Sequence, residues 1–477
     1  MSSLKKNFAY QITYQMLIVI LPLITSPYLS RVLGSQGLGE YSYSYSIAYY
    51  FSLFVLLGVN NHGTREIAKV KGDIKKTSEV FWAIYILQLI AGGGMLVLYA
   101  ISQIFLREKN TLALIQSLYV ISSILDINWL FFGLEKFKVT VTRNCIVKIL
   151  TVFCIFIFVK SSKDVVIYTF IMAMSFLVSQ MVLWPFTRGS IKYTKVSRQA
   201  ILQNVKPLLI LFIPVVAVSI FKYMDKIMLG AMYSKRELGL YDNTEKIVSI
   251  PTGVITAVGV VMLPRISNLL AKNSDHKAVM KYIQLSMSGS MMVASVMAFG
   301  LAGVSTTFSV WFWGEEFTRC GDLIKAIAVT VIFLSWANVI RTQYLIPQNK
   351  EQIFVNATIY GAIINFIINY VLIRQHGALG TVIGTVVAEF VVALYQTIKC
   401  RKELPILIYL KESVPYFVAG TIMYIGIQLV SKLVLNNFIL LVIEVCVGIL
   451  IYIVIMFVYF VFVKKVDPRN ICELMRK

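Results

Sequence analysis

Between Phe221 and Arg265 the chain places Lys222, Asp225, Lys226, Glu245 and Lys246 inside two apolar segments of membrane-crossing length. A lone charge near the bilayer centre costs roughly 2.5 kcal/mol or more on insertion scales, so such residues face a wet cavity or a partner. Lys222 and Lys226 stand four apart and share a helical face, with Asp225 three from Lys222 and within pairing reach. Converging cations of this kind suit phosphate, which lysine meets as a point charge and arginine as a bidentate fork. The plainer alternative is that Lys222 and Lys246 snorkel to an interface, or pair with Asp225 and Glu245 to hold helices together. Three arginines extend the candidate set. Arg31 closes the first apolar segment, while Arg65 and Arg265 end two later ones that look equivalent. Among the acids, Asp126 and Glu389 lie inside apolar segments, and with Asp225 and Glu245 they are candidates for balancing charge or carrying a coupling ion, H+ or Na+.

These side chains need a scaffold, and composition names its class. The chain has 477 residues, 58% hydrophobic and 14% charged. A soluble domain is about 45–50% apolar and about 25% charged. Apolar runs of about 18 residues or more recur from end to end and read as spanning helices. The net charge of +22 does not imply nucleic acid, because the basic residues fall between apolar runs rather than on one patch. Six cysteines show no CxxC and no metal spacing, and read as small apolar fillers. The first apolar run, with Pro22 and Pro27 and no A-x-A cleavage site, reads as a retained helix. Gly-rich phosphate loop, HExxH and nucleophile elbow are all missing, so no enzyme, metal site or cofactor is expected.

The expected architecture is an all-α integral membrane protein of about 14 spans, from 10–33 to 438–463, with a roughly 20-residue helix as the ruler. Lys/Arg-rich connections alternate, which places both termini in the cytosol of a bacterial plasma membrane. Residues 1–186 form an expected six-helix bundle, 187–206 a basic cytosolic linker, 207–400 a second six-helix bundle, and 401–477 two further spans and a tail. A weak repeat supports the division. Leu33-Gly34, Leu38-Gly39 and Tyr41 recur as Leu229-Gly230, Leu238-Gly239 and Tyr241. Gly58 and Arg65 match Gly259 and Arg265, Ala68-Lys69 matches Ala271-Lys272, and Pro22 resembles Pro214. An offset of about 200 residues with six spans per copy implies a parallel repeat, and Pro- or Gly-interrupted helices in matching places point to a site near the midplane.

The stretches PYLSRVLGSQGLGEYSYSYSIAYYF and LGVNNHGTREIAK near the amino end, then DINWLFFGLEKFK, YLIPQNKE and GALGTVIGTVVAE, are fairly specific in this order. Through them the chain resembles the polysaccharide flippases of the multidrug/oligosaccharidyl-lipid/polysaccharide exporter superfamily, over nearly its whole length. The eighth span also looks like the lipid II flippase branch, where an acid–base pair precedes a PTGV-like element and LPR/S. Here these are Glu245 and Lys246, Pro251 to Val254, and Leu263 to Arg265. The resemblance carries the family's cavity-lining arginines onto Arg31 and Arg65, and its basic residue of helix eight onto Lys246, which is lysine where that branch has arginine. It implies that the two extra spans help form a hydrophobic groove for a lipid tail.

The expected activity is then translocation of undecaprenyl-pyrophosphate-linked oligosaccharide repeat units from the inner to the outer leaflet for cell-surface polysaccharide assembly. The head group would sit in a cationic cavity, on Arg31, Arg65, Lys222, Lys226, Lys246 and Arg265, and alternating access would carry it across. Expected partners are the lipid-linked substrate, membrane lipids, a polysaccharide polymerase and glycosyltransferases. Two other classes compete. A drug or cation antiporter of the multidrug branch would gather carboxylates rather than bases, and a membrane glycan polymerase would need a large outer domain.

Overall fold

In the computed structural model the described chain is helical, with no strand among the described residues. The structure describes residues 3–105, 111–271 and 276–464. Within them, the side chains of 3–19, 105, 214, 217, 221, 257, 258, 260, 261, 264, 265, 267–271 and 276–278 are not described. Two compact units divide the chain, Met1–Gly239 and Leu240–Lys477. The first holds α1 (Ser3–Leu56), α2 (Val59–Lys69), α3 (Ile74–Phe105), α4 (Thr111–Ile124), α5 (Asn128–Gly133), α6 (Phe137–Phe158), α7 (Val165–Met181), α8 (Arg198–Leu202), α9 (Val205–Ser219) and α10 (Asp225–Met232). Next comes α11 (Lys235–Ala271), which begins before the division and runs past it. The second unit continues with α12 (His276–Trp313), α13 (Thr318–Ile327), α14 (Thr330–Ile340), α15 (Glu351–His376), α16 (Ala378–Cys400), α17 (Ile406–Val430) and α18 (Asn437–Val458).

Ten helices are long and apolar enough to cross a membrane among the described residues, or eleven if the pair Glu315–Ile327 and Thr330–Leu345, bent by 42°, is one span. About fourteen spans are compatible with this. One of the ten, Ile20–Lys69, covers two expected spans. Its break is Gly34, at φ 69 and ψ 177, a left-handed conformation that glycine adopts at no steric cost. The expected spans at 207–230 and 238–264 fall on α9–α10 and on α11. There Lys222, Asp225, Lys226, Glu245 and Lys246 dilute the apolar character. A π turn, Ile220–Met224, joins α9 to α10 and carries Lys222; such bulges often mark functional sites. Bands of exposed Ile, Leu, Val and Phe cover the outward faces, including Ile90, Phe153, Ile367, Leu429 and Leu450. This is the surface of a helical protein solvated by lipid, where backbone polar groups have to be satisfied internally.

Two of the matching glycines meet in the first unit. A Cβ added at Gly39 would lie 1.6 Å from the Lys235 carbonyl oxygen, and one added at Gly239 would lie 1.9 Å from that of Ser35. Each glycine meets the carbonyl four residues before the other. The two matching segments, 35–39 and 235–239, therefore cross backbone to backbone in a reciprocal contact. Sequence repeat and compact units divide the chain at different points, because 187–206 and α9–α10 lie in the first unit. The basic linker is docked there. Trp82 Nε1 donates to the Lys192 carbonyl at 3.0 Å, Lys192 N donates to Ser78 Oγ at 2.9 Å, and Lys136 Nζ reaches Ser190 Oγ at 2.7 Å.

Where α2, α3 and α5 meet, Ile67, Phe81, Ile84, Ile127, Trp129, Leu130 and Phe131 are wholly buried. Gly63 leaves room for the Trp129 ring, which a Cβ would approach to 2.4 Å. Trp129→Ala should cost about 3–5 kcal/mol of stability, the usual price of emptying so large a buried site. Thermal unfolding of the purified protein would show it as a clear loss of melting temperature.

In the second unit α15 and α16 form a close hairpin. Gly377 makes its turn at φ 58, and Gly380 and Gly384, in a GxxxG spacing, lie against the Leu372 backbone and Asn369. Spans α17 and α18 pack on α12, with Ser295 Oγ bonded to the Tyr416 carbonyl and Tyr452 OH to that of Met292. Cys145, Cys154, Cys320, Cys400 and Cys446 are free thiols, in keeping with their reading as fillers; Cys472 lies outside the described residues.

Candidate functional site

The second unit presents a cation beside an apolar hollow. Lys246 Nζ sits 2.7 Å from Asp242 Oδ2, one helical turn earlier on α11, and 3.4 Å from Asn243 Oδ1. Asp242 is nearly buried while the lysine side chain is 42% exposed, so the pair leaves its positive end open. The acid that pairs with Lys246 is thus Asp242, four residues back on the same face, a spacing the sequence displays but which had not been singled out. Glu245 is half-buried next to it and has interactions of its own. On the same helix, Ile247, Ile250 and Pro251 line an apolar cavity of about 380 Å³ closed by α12, α17 and α18. Gly300, Phe308, Met423, Val445 and Gly448 complete its walls. Lys246 stands four before Ile250, so the charge adjoins the Ile250 edge of the cavity, while Ile247 and Pro251 line it further around α11. Behind the cavity, Thr307 Oγ1 donates to Glu444 Oε1 at 2.9 Å and ties α18 to α12.

In the first unit Lys222 is exposed on the π turn and Lys226 is half-buried, its Nζ 5.9 Å from the centre of the Tyr223 ring. Between them in sequence, Asp225 is 1% exposed. Tyr223 stacks on Tyr49 with ring centres 3.7 Å apart and planes at 22°. Arg31 is exposed at the end of the first span of α1, three residues before the break at Gly34. Arg65 is 55% exposed on α2, its Nε 3.3 Å from Glu66 Oε1; Glu66 also holds Lys69 at 2.8 Å. The side chain of Arg265 lies outside the described residues. Lys222, Lys226, Arg31 and Arg65 therefore belong to the first unit, and Lys246 to the second.

The candidate acids divide by what they hold. Asp126 fills the gap between α4 and α5, where Oδ1 accepts from Asn128 N at 2.8 Å and from Asn128 Nδ2 at 2.7 Å. Asn128 in turn accepts from Arg143 Nη2 at 2.6 Å, and Arg143 Nη1 donates to the Ser179 carbonyl at 2.7 Å. By sequence Arg143 groups with Lys136 and Lys138 in a basic, cytosolic connection. It is 5% exposed, because the second turn of α6 lies against α5 and α7, where Arg143 reaches Asn128 and Ser179. Such a bonded aspartate serves the helix break. Asp126→Ala should cost about 1 kcal/mol of stability, as caps of this kind do. Asp126→Asn, which keeps the accepting oxygen, should retain transport; a complementation assay on both variants checks this.

Glu389, on α16, is half-buried and close enough to Arg341 for their charges to act on each other. Arg341 also donates to Asn338 Oδ1 at 2.8 Å and lies 4.9 Å over the Phe354 ring. His62, unassigned from sequence, is buried with Nε2 2.7 Å from Asn204 Oδ1, and so fastens α2 to the end of the linker. Among the described residues no cluster of His, Cys, Asp and Glu has the make-up of a metal site.

Long apolar helices, a lipid-solvated surface and intramembrane charges define a multi-pass membrane protein. Its fold is similar to that of the lipid II flippase MurJ in an inward closed conformation, with a TM-score of 0.77 at 16% identity, covering 95% of this chain and 99% of that one. It is more distantly similar to an inward-facing multidrug resistance MATE family transporter of the MOP superfamily, with a TM-score of 0.54 at 14% identity, covering 87% of this chain and 100% of that one. Residues 4–270 match the family model described as polysaccharide biosynthesis protein, and the chain belongs to that family. Among curated relatives it is 25% identical to a putative O-antigen transporter of Shigella dysenteriae, over 79% of this chain and 94% of the relative. It is 23% identical to a putative O-antigen transporter of Escherichia coli, over 80% and 94%. A shorter match, 24% identical over 35% of this chain and 34% of the relative, is to a probable low-salt glycan biosynthesis flippase of Haloferax volcanii.

Proposed function

We propose that the protein is a flippase that moves undecaprenyl-pyrophosphate-linked oligosaccharide repeat units from the inner to the outer leaflet of a bacterial plasma membrane, for cell-surface polysaccharide assembly. The observation that carries this reading is the partly exposed Lys246 at the edge of the apolar cavity, one turn before Ile250. An amphiphile with phosphate at one end and hydrocarbon at the other matches that order of surfaces. The cavity accepts a stretch of prenyl chain, and the lysine, only partly neutralised by Asp242, receives a phosphate oxygen. Lys222, Lys226, Arg31, Arg65 and Arg265 supply the remaining positive charge of a cationic path through which the head group crosses by alternating access. Glu389, beside Arg341, is better placed than Asp126 to carry a coupling ion, H+ or Na+, because Asp126 is committed to the α4–α5 break. Both termini are cytosolic in this reading, and a polysaccharide polymerase and glycosyltransferases act before and after transport. The relatives named for O-antigen transport support it over a drug antiporter. So does the excess of bases over acids among the intramembrane charges.

Reconstitution tests it. Purified protein in liposomes carrying a fluorescent prenyl-pyrophosphate-linked glycan should expose the glycan to a membrane-impermeant quencher faster than protein-free vesicles do. Equal rates with and without protein, under imposed H+ and Na+ gradients, would reject the proposal.

A further inference from the structure

The flippase reading accounts for the cations and the apolar cavity but leaves a group of tyrosines in the first unit unused. Tyr41, Tyr45 and Tyr49 recur every four residues on α1 and share one face. Tyr41 and Tyr45 are backed by other rings: Tyr168 at 4.7 Å from Tyr41, and Tyr119 at 5.0 Å and Phe176 at 6.1 Å from Tyr45. Tyr49 lies parallel to Tyr223, which also meets Tyr45 edge-on at 6.2 Å. Tyr168 is buried behind Tyr41, while Tyr49 and Tyr223 are half-buried. Behind the pair, Tyr45 OH donates to Tyr119 OH at 3.4 Å, which holds Tyr45 in place.

We propose that Tyr49 and Tyr223, steadied by Tyr45, form a platform for the first sugars of the cargo, so that the protein prefers a glycosylated lipid pyrophosphate to a bare one. This rests on the flippase reading and adds a recognition element to it. A pyranose ring offers a C–H face, weakly positive, and an aromatic face carries the negative quadrupole that attracts it. The hydroxyls of the same sugar need polar neighbours, which phenols provide and phenylalanines do not. Position makes the case specific. Lys226 Nζ lies 5.9 Å from the centre of the Tyr223 ring, and Lys226 follows Tyr223 by three residues on the same helical face. In the cargo the pyrophosphate is bonded directly to the first sugar. A phosphate held by Lys226 therefore brings that sugar against the tyrosine pair, and the order cation then aromatic follows the order phosphate then sugar.

The experiment compares two probes on the full-length purified protein: farnesyl pyrophosphate and a farnesyl-pyrophosphate-linked disaccharide. The wild type should bind the glycosylated probe about two- to tenfold more tightly, the range expected of an aromatic contact. Tyr49→Leu and Tyr223→Leu, which keep bulk but lose the flat ring, should erase that preference and leave affinity for farnesyl pyrophosphate unchanged. Tyr49→Phe and Tyr223→Phe should keep most of it. Equal affinity of the wild type for the two probes overturns the platform while sparing the flippase reading. So does a preference that survives in the leucine variants, or a loss of both probes together. A wild type that binds neither probe overturns the pyrophosphate reading, and the platform falls with it.

Discussion

Gly39→Ala and Gly239→Ala are each expected to disable the protein. A methyl group at Gly39 would occupy the position of the Lys235 carbonyl oxygen, 1.6 Å away, and one at Gly239 would strike the Ser35 carbonyl at 1.9 Å. Neither obstacle is a flexible side chain. Relief requires two helical backbones to separate, so the cost should reach or pass the upper end of the about 1–3 kcal/mol typical of overpacking. At about 3 kcal/mol the affected equilibrium shifts by more than a hundredfold. The reciprocal geometry adds a sharper expectation. Once one methyl group has spread the crossing, the second meets a gap already opened. The double variant should therefore be less destabilised than the sum of the singles, a coupling that a double-mutant cycle reads directly. Gly253→Ala is the internal control, since nothing lies within 4 Å of a Cβ built there. Unfolding temperatures and surface-glycan complementation of the four variants supply the test. A Gly39→Ala protein as stable and active as Gly253→Ala would refute the crossing.

Removing the two positive charges on the π turn and α10 should have the next largest effect. Lys222→Gln with Lys226→Gln keeps side chains of similar length and leaves the buried Asp225 in place. A hydrogen bond to a charged partner contributes about 1.5–3 kcal/mol, so each lysine that meets a phosphate should matter by about tenfold or more. The double variant should fall by about a hundredfold in transport if the two act independently. Lys222→Arg with Lys226→Arg should retain most activity, because arginine preserves the charge and adds a second donor. Flipping rates in liposomes, corrected for the amount of protein inserted, would report this. Wild-type rates in the glutamine double variant would remove these lysines from the path.

Much of the scaffold could be read before any coordinates. The apolar runs had to become helices, because lipid offers no hydrogen bonds to an exposed backbone. Leu38-Gly39 and Leu238-Gly239 belong to a weak sequence repeat with an offset of about 200 residues. The backbones cross at those two glycines. The intramembrane charges announced themselves by their cost in lipid. So the membrane class of the molecule, and its roster of intramembrane charges, follow from local rules that act on a few neighbours at a time.

Partnership obeys no such rule. Periodicity says which residues share a helical face and is silent on what that face meets. Lys246 has Glu245 beside it in sequence and Asp242 one turn away; the helix, turning about 100° per residue, aims Glu245 elsewhere and brings Asp242 to 2.7 Å. Arg143 read as a cytosolic charge until the packing of α5, α6 and α7 enclosed it with Asn128 and Ser179. Asp126 read as a free intramembrane acid until the break before α5 gave it two donors. Only the fold set Tyr223, more than 170 positions further along, face to face with Tyr49. Membrane class, repeat and the roster of charged residues were thus determined by the sequence, since each is enforced by solvent or by neighbours along the chain. Which charge is neutralised, which acid is structural and which ring lies open were decided by tertiary packing, because those contacts join residues that only the folded helices bring within reach.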